Sequence, residues 1–314
     1  MGAFLEVALP AFLLVFAGAA AARAGWIDEA GGKGLNGFVY YLAMPAALFR
    51  AASEGALLQG FDWRLVVAYF GPTLVLLAAA EAFGRRAPVE ERALTGMGAC
   101  FSNNIFLGMP VIVAHMGGAA AGPMTAIIAL TTVLFVGLPV LRIETARGRR
   151  GAAAAALGRV AANPLLIAIA LGTLWALLPW RLPGPAAAAV DLLAAASSPA
   201  ALAGLGAALA AHRIAGDLRD STALCGLKLI AHPVMVWLVA GAVGLGPFET
   251  AVAVLAAAMP VGANVFVLAQ HYGIYERRAS AAVVLSTFAA MPLSALRILA
   301  YLTGVLATFD GDSG

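Results

Sequence analysis

Ten times along this chain, an apolar run of about twenty residues is closed off by charge, glycine or proline. The runs fall at about 3–22, 35–53, 63–83, 93–115, 121–141, 160–179, 187–211, 221–243, 247–270 and 280–302. A helix rising 1.5 Å per residue needs about 20 apolar residues to cross the ~30 Å hydrocarbon layer. Inside that layer every backbone N–H and C=O must be satisfied within the segment, so each run has to be helical. The surface agrees: 62% of residues are hydrophobic and 11% charged, whereas a soluble domain carries about 25% charged residues. An all-α membrane protein of ten transmembrane helices is expected, not a soluble domain with an anchor. The first run has Glu6 ahead of it and no basic leader, so it does not read as a cleaved signal peptide. Cys100 and Cys225 both fall in apolar runs and read as small buried hydrophobes, not disulfide partners.

Basic residues orient the spans. Fourteen fall in the odd-numbered loops: Arg23 and Lys33; Arg85, Arg86 and Arg92; Arg142, Arg147, Arg149, Arg150 and Arg159; Arg213 and Arg219; Arg277 and Arg278. Two, Arg64 and Arg181, fall in the even-numbered loops. Because loops left in the cytoplasm carry the basic excess, both termini are expected on the non-cytoplasmic side of the plasma (inner) membrane.

The chain also repeats itself. Pro10 and Gly18 in span one recur as Pro164 and Gly172 in span six, and "MPAAL" at Pro45 recurs as "SPAAL" at Pro199, all at an offset of 154. Pro110 and Pro260 follow at 150, and Pro139 and Pro292 at 153. Two five-helix repeats are expected, residues 1–141 and 160–314, joined by a cytoplasmic linker at 142–159. Five is odd, so the second repeat runs inverted through the membrane, a construction typical of secondary transporters.

Span four contains "SNNIFLGMPV", residues 102–111, and span nine contains "AMPVGANVFVLAQHYG", residues 258–273. Proline has no N–H and its ring crowds the carbonyl four residues back, and Gly108 loosens the same turn, so a break is expected at Pro110. The second half-helix would start there, leaving the N–H groups of Val111, Ile112 and Val113 free. Pro260 repeats the device, with Gly262 and Asn264. Two broken, crossing helices would bring positive dipole ends and carboxamides to the midplane, a site for a small anion and most simply a carboxylate. A lone proline in a membrane helix is usually structural, and a lone asparagine often joins helices. Recurrence in two symmetry-related spans points instead to a site, with Ser102, Asn103, Asn104, Gly262, Asn264 and Gln270 as its substrate-binding candidates. Gln270 reads equally as a cap on the end of span nine.

At these residues the chain resembles the auxin efflux carrier family, which includes plant PIN-type carriers and bacterial carriers proposed for malonate, malate and related acids. Ser102-Asn103-x-x-x-x-Gly108-x-Pro110 is similar to the family's span-four segment, and residues 257–273 to its span-nine segment. "LNGFVYYLAMPAALFRA", "NPLLIAIALG" and "LKLIAHPV" resemble spans two, six and eight, so the likeness covers nearly the whole chain. It implies ten spans in two inverted repeats, with interleaved scaffold and transport subdomains. It further implies broken crossing helices four and nine, elevator-like movement and a homodimer joined through the scaffold helices. Asn103, Gly108, Pro110, Pro260 and, more loosely, Lys228 carry over, while Asn104 stands where the family usually has Thr or Ser. The short central loop implies a prokaryotic-type carrier.

Other polar residues have two readings each. Lys228 lies about six residues into span eight, roughly 9 Å along the axis. It either snorkels to the cytoplasmic interface or serves as a charge or gating partner. Glu81, four residues before Arg85, reads as a helix-end pair, with gating or proton binding as the alternative. His232 reads as a hydrogen-bonded structural residue or as a titrating one. His115, His232 and His271 share no metal-ligand spacing, "GGKG" at 31–34 lacks the context of a phosphate loop, and residues 151–159 read as a short interfacial helix.

The function expected is a secondary active or potential-driven transporter of small organic anions, such as malonate, malate or auxin-like acids. A Na⁺-coupled symporter and a passive channel are the alternatives. An intramembrane enzyme would need a nucleophile–base pair or a metal cluster, and the spans supply neither pattern. No cofactor or nucleic-acid partner is implied, and coupling to Na⁺ or H⁺ stays open.

Overall fold

A computed structural model describes residues 2–55, 62–148, 150–180, 182–211 and 218–290. Among them, regular structure is helical apart from one isolated β-bridge. In order come α1 (Gly2–Arg23), α2 (Glu29–Phe38), α3 (Met44–Ser53), α4 (Trp63–Phe83), α5 (Val89–Cys100), α6 (Met109–Met116) and α7 (Ala121–Ala146). Then follow α8 (Ala152–Ala161), α9 (Pro164–Ala176), α10 (Gly184–Ala211), α11 (Leu218–Gly226), α12 (His232–Ala242), α13 (Pro247–Ala258) and α14 (Asn264–Tyr272). A further helix occupies 276–290. Four stretches of the described residues are long and apolar enough to cross a membrane unbroken: Trp63–Phe83, Gly118–Ala146, Gly184–Ala208 and Asp220–Ala242. Large apolar side chains such as Leu174, Leu192 and Trp237 stand on the outside, as lipid-facing residues do. Pro292 and Arg149, Arg181, Arg213 and Arg297 lie outside the described residues.

Proline shapes the helices in one recurrent way. Three π turns, Val39–Ala43, Asn104–Gly108 and Leu227–Ala231, each run directly into a helix whose first turn holds a proline: Pro45, Pro110 and Pro233. At each junction the N–H just ahead of the proline, that of Met44, Met109 or His232, bonds the carbonyl five residues back. The wider turn takes up the missing donor and the crowding ring without stopping the helix.

Span six starts later than its apolar run. Helix α8 meets α9 at 57°, and Asn163 makes the corner: its Oδ1 caps α9 through the Leu165 N–H at 2.9 Å, with Pro164 in the first turn. Residues 151–159, expected to form a short helix, fall in α8.

Apolar burial gives helices little reason to associate in lipid, so close packing has to come from small residues. A Cβ on Gly18 would lie 2.0 Å from the Ala203 carbonyl oxygen, and one on Gly206 1.9 Å from that of Val15, so α1 and α10 touch backbone to backbone. A Cβ on Gly172 would lie 2.6 Å from the Phe49 oxygen, joining α9 to α3 in the same manner.

Candidate functional site

Span four opens earlier than its proline. Helix α5 ends at Phe101, whose backbone is extended (φ −79°, ψ 113°), and Asn103 (φ −74°, ψ 57°) caps the next turn, with Oδ1 accepting from the Phe106 N–H at 3.3 Å. The expected break at Pro110 is corrected: the π turn absorbs that proline, and Val111, Ile112 and Val113 lie inside a continuing helix. The new helix end is at Asn104–Phe106. A Cβ on Gly108 would lie 2.7 Å from Asn104 Oδ1, so the Asn104 side chain would have to shift.

Span nine stops at Ala258 and resumes at Asn264, with Met259 extended (φ −61°, ψ 149°). The two gaps lie across each other. Ser102 and Val261 form an antiparallel bridge, in which the Asn103 N–H donates to the Pro260 carbonyl at 2.8 Å and the Gly262 N–H to that of Phe101 at 3.0 Å. The Val261 N–H donates to Ser286 Oγ at 3.0 Å. Backbone that leaves a helix inside a membrane protein must find partners elsewhere, and here the two gaps and the helix carrying Ser286 supply them. A Cβ on Gly262 would lie 2.3 Å from the Phe101 ring, so that ring leaves room for glycine alone at this position.

Ser102, Asn103 and Asn104 are all buried. Tyr69 on α4 ties two of them together: its hydroxyl accepts from Asn104 Nδ2 at 3.0 Å and donates to Ser102 Oγ at 3.3 Å. Asn104 Oδ1 is left without a partner among the described residues, and so is one group of Asn103. That group is Nδ2, and a buried donor left so costs about 1–3 kcal/mol. Asn103 borders a void of about 10 Å³ shared with Ser102, Phe106, Gly262, Ala263 and Asn264, about the volume of one water probe.

Asn264, in the first turn of α14, also borders a much larger cavity of about 770 Å³. Phe101 and Phe106 share that boundary, while Lys33, Asn36, Arg159 and Asn163 contribute charge and polarity; no carboxylate is among the described residues around it, although Lys33 is paired with Glu29 at 2.7 Å. Asn163 Nδ2 donates to Tyr40 Oη at 3.0 Å, and Arg159 reaches His271 Nε2 at 3.1 Å, linking α8 to the end of α14. The cavity's boundary therefore brings cationic, carboxamide and aromatic groups together.

Two expectations for charged residues change. Lys228 does not snorkel: it is fully buried on its π turn, Nζ donates to the Ala257 carbonyl, and it lies 3.4 Å from His232 Nδ1. Glu81 pairs with Arg142 of α7, not with Arg85, while Arg92 Nε donates to its backbone carbonyl at 3.0 Å. The side chain of Gln270 lies outside the described residues. Sequence reasoning missed Tyr69, Thr73, Ser286 and Asn163. A hydroxyl at mid-depth of an apolar run was the available signal for the first three, and Asn before Pro at a helix start for the fourth.

Comparison with known proteins supplies the family. Residues 3–298 match the membrane transport protein family. A protein of Rhizobium meliloti (strain 1021) named "Putative malonate transporter" is 30% identical over 300 residues, 91% of this chain and 92% of its own. The "Uncharacterized transporter YfdV" of Escherichia coli (strain K12) is 26% identical over 295 residues, 90% of this chain and 93% of its own. With a match spanning nearly its whole length, this chain belongs to the membrane transport protein family, that of the auxin efflux carriers.

Proposed function

We propose that this membrane transporter is a secondary carrier of small organic anions, carboxylates of the malonate and malate class or auxin-like acids, in the plasma (inner) membrane. The observation that carries the reading is the Ser102–Val261 bridge: two interrupted spans meet at one buried point, to which Asn103 brings an unpartnered NH₂. The restarted helices direct their positive dipole ends there. A carboxylate would accept charge-assisted bonds from Asn103 and from Asn264 across the crossing. Ser102, Asn104 and Gly262 shape the site, Gly108 and Pro260 shape its backbone, and Gln270 is kept as a substrate-binding candidate from the sequence alone. The name of the Rhizobium relative supports this substrate class.

Ten spans in two inverted repeats, 1–141 and 160–314 around the linker 142–159, are the frame of this proposal. Its support is a contact that repeats itself. Gly18 packs on the Ala203 carbonyl and Gly172 on that of Phe49, and both the glycines and their partners are 154 residues apart. The packed pairs α1–α10 and α3–α9 serve as the scaffold, through which two copies form a homodimer. The crossing rides elevator-like against it, exposing the anion site to either side, and both termini stay outside.

Counterflow in proteoliposomes tests the reading. Saturable uptake of labelled malonate, accelerated by unlabelled malonate inside, is expected. Non-saturating flux without that acceleration means a passive pore instead. Wild-type saturation curves for both Asn103→Ala and Asn264→Ala would remove the site assignment.

A further inference from the structure

A buried ammonium is among the costliest groups inside a membrane protein, so the contacts of Lys228 carry information. Its Nζ donates to the Ala257 carbonyl in the last turn of α13. The last four carbonyls of a helix lack intrahelical partners and form the negative end of its dipole. In α13 that end is buried three residues ahead of Pro260, whose carbonyl receives the Asn103 N–H. Around Nζ, the hydrogen bonds define a direction. Thr73 Oγ1 donates to the Tyr69 carbonyl at 2.6 Å, so it accepts from His232 Nε2 at 2.9 Å, and His232 Nδ1 is left as the acceptor facing Nζ at 3.4 Å. With the lysine charged and the imidazole neutral, the Thr73 hydroxyl, the His232 Nε2–H and two of the ammonium N–H groups have acceptors.

We propose that Lys228 is a tethered cation: its ammonium neutralises the carbonyl end of α13, so that anion binding at the crossing requires neither Na⁺ nor K⁺. The inference rests on the carrier reading and makes Lys228 a positioning residue. Its charge fixes the course of Met259–Ala263 and, through the Pro260 carbonyl, the place of Asn103.

Thermal unfolding of the purified full chain, which needs no substrate, tests the cation separately from the carrier. Wild type, Lys228→Ala and Lys228→Arg are melted in sodium, potassium, ammonium and N-methylglucamine chloride at equal ionic strength. Wild type and Lys228→Arg should melt within about 1 °C of their own values in all four salts, while Lys228→Ala should gain about 3 °C or more from ammonium or sodium over N-methylglucamine. A lysine with a merely structural role would leave Lys228→Ala equally weakened in every salt, and that result overturns the proposal. A wild-type melt raised by sodium overturns it as well, and decides the matter if Lys228→Ala does not fold. In proteoliposomes, wild-type malonate counterflow should be equal in sodium and N-methylglucamine. Sodium stimulation there sinks the tethered cation and leaves the carrier standing, whereas no counterflow in either salt strikes the carrier reading alone.

Discussion

The N–H of Asn103 donates to the carbonyl of Pro260 at 2.8 Å, so each of two interrupted spans takes from the other a bond its own helix has given up. The pairing leaves the Asn103 side chain half used. Oδ1 caps the restarted helix, and Nδ2 is buried without a partner among the described residues.

Replacing Asn103 by Ala removes both functions, and their effects on stability oppose each other. A lost cap costs about 1 kcal/mol, and removing an unpartnered buried donor relieves about 1–3 kcal/mol, so the variant should be as stable as wild type or up to about 2 kcal/mol more stable. Transport should suffer. A hydrogen bond to a charged group is worth about 1.5–3 kcal/mol, which is roughly a tenfold or greater rise in the half-saturating substrate concentration. Counterflow saturation curves beside thermal melts check the split; an unchanged curve counts against the site.

Gly262→Ala should fail for a steric reason that a second substitution can undo. The new Cβ would meet the Phe101 ring at 2.3 Å, and that ring is held against Phe135 with centroids 5.1 Å apart. Overpacking of this kind costs about 1–3 kcal/mol. Phe101→Leu in the same chain should recover most of the loss. A double-mutant cycle from melts in detergent measures the coupling, and simple additivity would show that the two side chains do not collide.

The helical class and the interruption of spans four and nine were legible because hydrocarbon permits so few backbone choices. In span nine the gap lies around Pro260, where the residues indicated it. In span four it does not follow the proline: an i−5 turn absorbs Pro110, and the helix opens at Ser102, opposite Val261. That choice depends on a segment far away in sequence, so no local pattern could reveal it. Glu81 chose Arg142 over Arg85 on the same ground, a neighbouring helix outcompeting the next turn. Tyr69, Thr73 and Ser286 went unread because an isolated hydroxyl on an apolar helix has no period, and its meaning is set by the partner it meets.

The absorbed proline yields a test with an unusual sign. Pro110→Ala restores an N–H and lets the π turn tighten, but it leaves Phe101–Asn103 alone. Its effect on stability should stay within about 0.4–1 kcal/mol, the usual effect of proline on the unfolded chain. Its counterflow saturation curve should stay close to wild type while that of Asn103→Ala shifts to higher concentration. A Pro110→Ala carrier as impaired as Asn103→Ala would return the break to the proline.

The large cavity gives the orientation a chemical test. Lys33 and Arg159 border it together with Asn264, and both cations belong to loops that the charge count assigns to the cytoplasm. Cys100 and Cys225 are buried and can be replaced by Ala, leaving Asn264→Cys as the reporter. An anionic thiosulfonate should label that cysteine from the cytoplasmic face of inverted vesicles and not from the outer face of right-side-out ones. Adding Lys33→Gln and Arg159→Gln should slow the anionic reagent by about 2- to 3-fold, since both cations are exposed and Lys33 is paired with Glu29. A cationic reagent of the same size should not slow, and salt should narrow the difference between the two. Labelling from the outer face alone would invert the topology inferred from the loops, because the same residues would then bound an outward-facing vestibule.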